Sequence, residues 1–165
     1  MVRLWVVNAS PIITLAKIGR INLLPRLCDE VIIPQGVADE IQQGDYNDSA
    51  LSWIRTEGQV FLKPNLEIDP VVASWDLGSG ESHVLSWCIC HPEYEAILDD
   101  RAARKAANIL RIPIRGTLSI IVLAKQEGHV VSAKVEFEKL IESGFRIKVD
   151  VLLKVLELAG EQAKN

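Results

Sequence analysis

Five side chains able to bind a cation or move a proton occupy similar places along the chain. Asn8 follows the first apolar run, and Glu40 lies one turn into the helix expected after the second. Glu81 opens the helix that follows a glycine-rich turn, and Asp99-Asp100 closes a central apolar run. Four are acids; the asparagine offers an amide oxygen without a formal charge. Carboxylates crowded together repel one another. A hard divalent cation relieves that repulsion, and Mg²⁺ or Mn²⁺ prefers oxygen ligands. Each residue also has a plainer reading. Glu40 suits a solvated helix face, Glu81 a helix N-terminus, Asp99 an N-cap and Asp100 a first helical turn. Their shared placement after strands favours a metal site over five separate structural roles.

The elements that must position them alternate. Arg3 to Val7 reads as a strand. Ser10 and Pro11 then cap and open a helix through Ile18, with Gly19 as its stop. A helix from Leu23 to Cys28 and a strand from Glu30 to Ile33 follow, and Pro34 starts the helix that carries Glu40. Gly44 to Asp48 is a polar turn, Ala50 to Arg55 a helix, and Gln59 to Leu62 a short edge strand; Asn65 to Ser74 has no clear pattern. LGSGESHVLSWCIC is a glycine-rich turn feeding a helix, and Glu95 to Leu98 is a strand. Next come a helix with Ala103, Ala106, Ala107 and Leu110 on its apolar side, a strand from Ile112 to Ile114, and an apolar helix from Leu118 to Ala124. Amphipathic helices at Val135 to Ile141 and Val151 to Leu158 flank a short strand at Phe145 to Ile147. This alternation predicts a parallel sheet with helices on both faces, in which ligands bind beyond the carboxyl ends of the strands.

Composition bounds the function. With 165 residues, 48% hydrophobic and 24% charged, the chain suits one domain, 1–165, with one core. No apolar run reaches the roughly 18 residues of a membrane span. Three cysteines without a spaced framework, Cys28, Cys88 and Cys90, point to free thiols and a cytoplasmic setting. A net charge of −4 argues against a broad phosphate-binding coat but leaves room for an acidic metal centre.

The segments VVNASPIITLAKIG, VIIPQGVADEI, LGSGESHVLSW, AILDDRAARKAANILRIPIRGTLSIIVLAKQEG and FEKLIESGFRI resemble the PIN-domain superfamily. The likeness is strongest to its branch of small prokaryotic proteins related to the VapC-type toxins, and LDDRAARKAA followed by a strand and GT is its most specific part. It implies a PIN-like, Rossmann-like three-layer sandwich around a mostly parallel sheet. It also implies a metal-dependent ribonuclease that hydrolyses RNA at a carboxylate-bound Mg²⁺ or Mn²⁺. By position the ligands are Asn8, Glu40, Glu81 and one or both of Asp99 and Asp100, with the four acids as the catalytic set. Ser10 and Thr117 stand where hydroxyls would meet a metal water or a ligand. Arg101, Arg104, Lys105, Arg111 and Arg115 crowd the expected mouth, as phosphate contacts or as a solvated helix face. The resemblance further implies a small antitoxin partner and a homodimer, with Ile12-Ile13 and Trp53 as apolar residues for the contact.

Asn8 departs from the pattern, because active members carry an aspartate there. Two functions therefore stand side by side: the ribonuclease, and a catalytically weakened module that binds RNA or a protein. Other motifs carry less. GSGESH lacks the third glycine of a dinucleotide fingerprint and is not a nucleophile elbow. Cys88, Cys90 and His91 lack the second ligand pair of a zinc site. His83 reads as a packed or surface residue of its helix.

Overall fold

In a computed structural model, residues 2–44 and 48–162 are described. They form β1 (Leu4–Val7), α1 (Ala9–Lys17), α2 (Leu23–Leu27), β2 (Glu30–Pro34), α3 (Gln35–Gln43) and α4 (Asp48–Arg55). A 3₁₀ turn (Glu57–Phe61) then leads to β3 (Leu62–Lys63), α5 (Pro70–Ala73), α6 (Ser79–Cys90), β4 (Glu95–Ile97), α7 (Arg101–Ile109), β5 (Ile114–Arg115), α8 (Thr117–Gln126), α9 (Ala133–Glu142) and α10 (Val149–Leu158). The strands make one parallel sheet in the order β3-β2-β1-β4-β5. Trp5, Val6 and Val7 of β1 are all fully buried. A strand without a wet face must be covered on both sides, so the sheet is the middle layer of an α/β sandwich.

Strand order reverses at β1, with β2 on one side and β4 on the other. This switch point opens a crevice beyond the carboxyl ends of the strands. Val7 pairs with Ile97, and the Asn8 backbone N–H donates to the Ile97 carbonyl at 2.9 Å, so Asn8 is fixed at that edge. Helix α6 packs against β1, β2 and β4 and brings its N-terminus to the same edge.

Several expected elements differ, and at Gln59, Ile112 and Phe145 the reason is that backbone donors are used elsewhere. The first helix begins at Ala9 with Asn8 in the cap position, so Ser10 lies inside it. The expected strand at Ile112 to Ile114 shifts to Ile114–Arg115. Arg111 takes a left-handed φ of 60°, the Ile112 N–H closes α7 onto Ala107, and Pro113 has no N–H. Most of Gln59 to Leu62 is 3₁₀ turn, with the Gln59 N–H bonded to Thr56; only Leu62 and Lys63 pair with β2. Phe145 to Ile147 is not a strand: the Phe145 N–H turns back to Leu140. Asn65 to Ser74 contains the short helix Pro70–Ala73. Of the polar turn at Gly44 to Asp48, residues 45–47 lie outside the described ones. Ile12 and Trp53 are core residues, with Trp53 stacked on Phe61 at 5.8 Å, so neither is free to form a dimer surface. Among the described residues no helix is long and apolar enough to cross a membrane.

Candidate metal centre

Asn8 has the residue type and the extended backbone of an N-cap, yet its side chain makes no cap bond. It turns into the crevice instead. The side chain is 1% exposed, and its Nδ2 donates to Glu81 Oε1 at 3.3 Å. Its Oδ1 is buried and has no hydrogen-bond partner among the described residues. A buried acceptor without a donor costs roughly 1–3 kcal/mol, and a cation would satisfy it.

Two carboxylates share this point. Gly80, in the first turn of α6, lets them approach: a Cβ there would lie 3.1 Å from Asn8 Oδ1 and 3.3 Å from Glu40 Oε2. Glu81 is the next residue, with its other oxygen turned back toward Gly78 at the helix start. Burial, and then the charge of Glu81, push the Glu40 carboxyl above the ordinary range. Neither acid pairs with a cation among the described residues. Asn8, Glu40 and Glu81 line one cleft of about 360 Å³, with Ser10, Ile13, Thr14 and Lys17 of α1 forming its wall. Beyond Glu40 a second cleft of about 480 Å³ is lined by Asp39, Gln43, Asn65 and Ser79.

The two aspartates do not join them. Asp100 caps α7, its Oδ2 accepting from the Ala103 N–H at 2.9 Å. Asp99 accepts the Thr117 N–H at 2.9 Å and the Thr117 hydroxyl at 2.6 Å. Among the described residues no three His, Cys, Asp or Glu side chains stand close enough together to hold a metal. The donor set in hand is therefore two carboxylates and one amide oxygen. That set fits a hard cation of the Mg²⁺ kind, which binds through one or two carboxylates and keeps its other positions for water and phosphate.

The other residues nominated from sequence are placed as follows. Ser10 lines the carboxylate cleft. Thr117 is fully buried and both its donors are spent on Asp99, so it positions that acid and has no open face for a ligand. The Arg115 guanidinium lies 5.8 Å from the Trp5 ring centroid and 3.5 Å from Glu95, away from the carboxylates. Arg104 donates to the Leu98 carbonyl at 3.1 Å and, with Asp99, lines a separate, largely apolar groove along α8 and α10. Arg101, Lys105 and Arg111 are exposed and do not line the carboxylate cleft. His83 is half-buried, with Nδ1 unpartnered and its ring against Gly36. Cys88 is buried, which pushes its thiol up to about 12, and its sulfur forms no disulfide.

Thr14 and Lys17 were missed, although the sequence carried a signal for them. Ser10, Ile13, Thr14 and Lys17 follow helical spacing from the residue after Ala9, so a cleft at Asn8 had to be walled by that face.

A parallel sheet that gathers carboxylates and an unsatisfied amide oxygen at its switch point defines an α/β domain built to handle a ligand or metal at its strand ends. Residues 4–161 match a family model described as a PIN domain, and the chain belongs to that family. PIN domains are nuclease-type domains and generally use divalent metal ions. No curated protein matches the chain.

Proposed function

We propose that this protein is a metal-dependent ribonuclease of the VapC type, cutting RNA phosphodiester bonds at a Mg²⁺ or Mn²⁺ held by Asn8, Glu40 and Glu81. The observation that carries this reading is the orphaned Asn8 Oδ1 beside two unpaired carboxylates at the strand ends. A cation bound there supplies Lewis-acid stabilisation of charge developing on the phosphate. Glu40 and Glu81 provide its negative field, and Asn8 fixes the orientation of Glu81 through Nδ2. Gly80 keeps the approach between them open. Asp99 follows β4 on the same sheet edge; to join the cluster it would give up both Thr117 bonds. A small antitoxin partner and a homodimer belong to the same reading.

The second reading is a weakened, RNA-binding module. It is favoured by the uncharged Asn8 and by the engagement of both aspartates elsewhere. The test is cleavage of a single-stranded RNA with Mn²⁺, beside Glu81→Gln. Cleavage by the parent that is lost in the variant supports the nuclease. No cleavage by parent or variant supports the second reading.

A further inference from the structure

The exposed face of α1 shows how a strand would lie across the cleft. Pro11, Ile12, Leu15 and Ala16 are buried, while Ser10, Ile13, Thr14 and Lys17 face the cleft that contains Glu40 and Glu81. From Ser10 to Lys17 this face rises about 10 Å along the helix axis. Among the described residues lining that cleft, Lys17 alone is basic.

Two features bear on what this face can bind. Serine and threonine hydroxyls near helices commonly bond back to the preceding turn. Thr56 does so to Ser52 at 2.7 Å, Ser74 to Val71 at 2.6 Å and Ser143 to Leu140 at 2.7 Å. The hydroxyls of Ser10 and Thr14 have no hydrogen bond among the described residues. The exposed Lys17 ammonium likewise pairs with no carboxylate among the described residues. A row of two free hydroxyls and one free ammonium, running away from a pair of acids, is a donor set for anionic oxygens.

We propose that this face of α1 is a rail for the RNA backbone, with Ser10, Thr14 and Lys17 binding phosphate oxygens beside the cut site. The inference rests on the ribonuclease reading and deepens it. Lys17 acts as a point charge and the hydroxyls as directional donors. Since none of these contacts reaches a base edge, binding along this face is independent of sequence. The arginines of α7 do not share in it, because they do not line the cleft.

The test is fluorescence anisotropy of a 5′-fluorescein-labelled decauridylate with Ca²⁺ as supporting cation, across a salt series. Lys17→Gln should weaken binding about threefold to tenfold at low salt and reduce the slope of log K against log salt by about 0.7, the loss of one phosphate contact on a single strand. Thr14→Val should weaken binding a few-fold with the slope unchanged. Lys154→Gln, at an exposed position of α10, is the control and should match the parent. Unchanged affinity and slope in Lys17→Gln would overturn the rail, as would a parent that binds no oligonucleotide. Failure of the nuclease reading is seen separately, as a parent that binds the oligonucleotide through Lys17 yet cleaves no RNA with Mn²⁺.

Discussion

Thr117 gives both its backbone N–H and its hydroxyl to one carboxylate, Asp99, at 2.9 and 2.6 Å. The adjacent Asp100 caps a different helix, α7. Two neighbouring acids thus hold the starts of two helices, and they differ in what an amide can replace. Asparagine is as good an N-cap as aspartate, so Asp100→Asn should change stability by less than about 0.5 kcal/mol, and Asp100→Ala should cost about 1 kcal/mol. Asp99→Asn should cost about 1–2 kcal/mol, because an amide cannot accept from both Thr117 donors through oxygen alone. Urea unfolding measures both; equal losses for the two asparagine variants would contradict this division.

Glu40 should destabilise the metal-free protein at neutral pH. Its carboxyl is held above the ordinary range by burial and by Glu81, so the folded state binds that proton better than the unfolded chain does. The stability linked to this group is full below the unfolded value of 4.5 and is lost as pH rises through the folded value. Glu40→Gln should therefore raise the metal-free melting temperature at pH 7 by about 1–2 °C, a small effect because the group is partly solvated. At pH 4 the gain should shrink toward zero. A variant that melts below the parent at pH 7 would show Glu40 paired in a way the geometry does not contain.

Gly80 should separate folding from metal binding. Alanine is favoured over glycine in a helix by up to about 1 kcal/mol. Here the added Cβ would press on Asn8 Oδ1 and Glu40 Oε2, at 3.1 and 3.3 Å. Gly80→Ala should melt within about 2 °C of the parent without metal. Its Mn²⁺ affinity should fall by about tenfold or more, since the displaced oxygens are two of the three ligands; 1.4 kcal/mol of lost contact suffices.

An ion pair between the half-exposed Arg20 and the buried Glu136 holds the loop after α1 to α9. Arg20 Nε lies 2.5 Å from Oε1 of Glu136, a side chain only 2% exposed. Burial raises the Glu136 carboxyl, but bonds and charges from Arg20 and Lys139 outweigh it and hold the group below the ordinary range. Arg20→Ala leaves that charge with Lys139 alone and should cost about 1–2 kcal/mol by urea unfolding at pH 7, less than for a fully buried pair because the guanidinium is partly solvated. Because the depressed pKa adds stability above the unfolded value and loses it as pH falls through the folded one, the difference from the parent should narrow in acid.

The sheet and the convergence of three nominated residues were legible because they depend on local pattern and one topological rule. Apolar runs at Arg3 to Val7, Glu30 to Ile33 and Glu95 to Leu98 marked the strands that form at Leu4–Val7, Glu30–Pro34 and Glu95–Ile97, and parallel topology brought Asn8, Glu40 and Glu81 to one edge. Side-chain direction just past a strand end was not legible, since it depends on distant partners. Asp99 turned to Thr117 rather than to the acids, and Arg115 turned back over Trp5. The density of basic residues from Arg101 to Arg115 left phosphate contact and a solvated face both open, and it is Lys17 that lines the cleft. Element ends moved where a residue's N–H was already committed, as at Ile112 and Phe145.

Calorimetric titration of Mn²⁺ into the metal-free parent, Glu81→Gln and Asn8→Asp tests the metal centre most directly. Asn8→Asp replaces a buried amide by a carboxylate of nearly the same shape, which should destabilise the metal-free protein beside Glu40 and Glu81 and tighten the cation. The account predicts Mn²⁺ binding by the parent, weaker binding or none in Glu81→Gln, and tighter binding in Asn8→Asp. That last variant should also show the largest Mn²⁺-induced rise in melting temperature. Identical titrations for all three proteins would place any bound metal elsewhere and contradict a cation site at Asn8, Glu40 and Glu81.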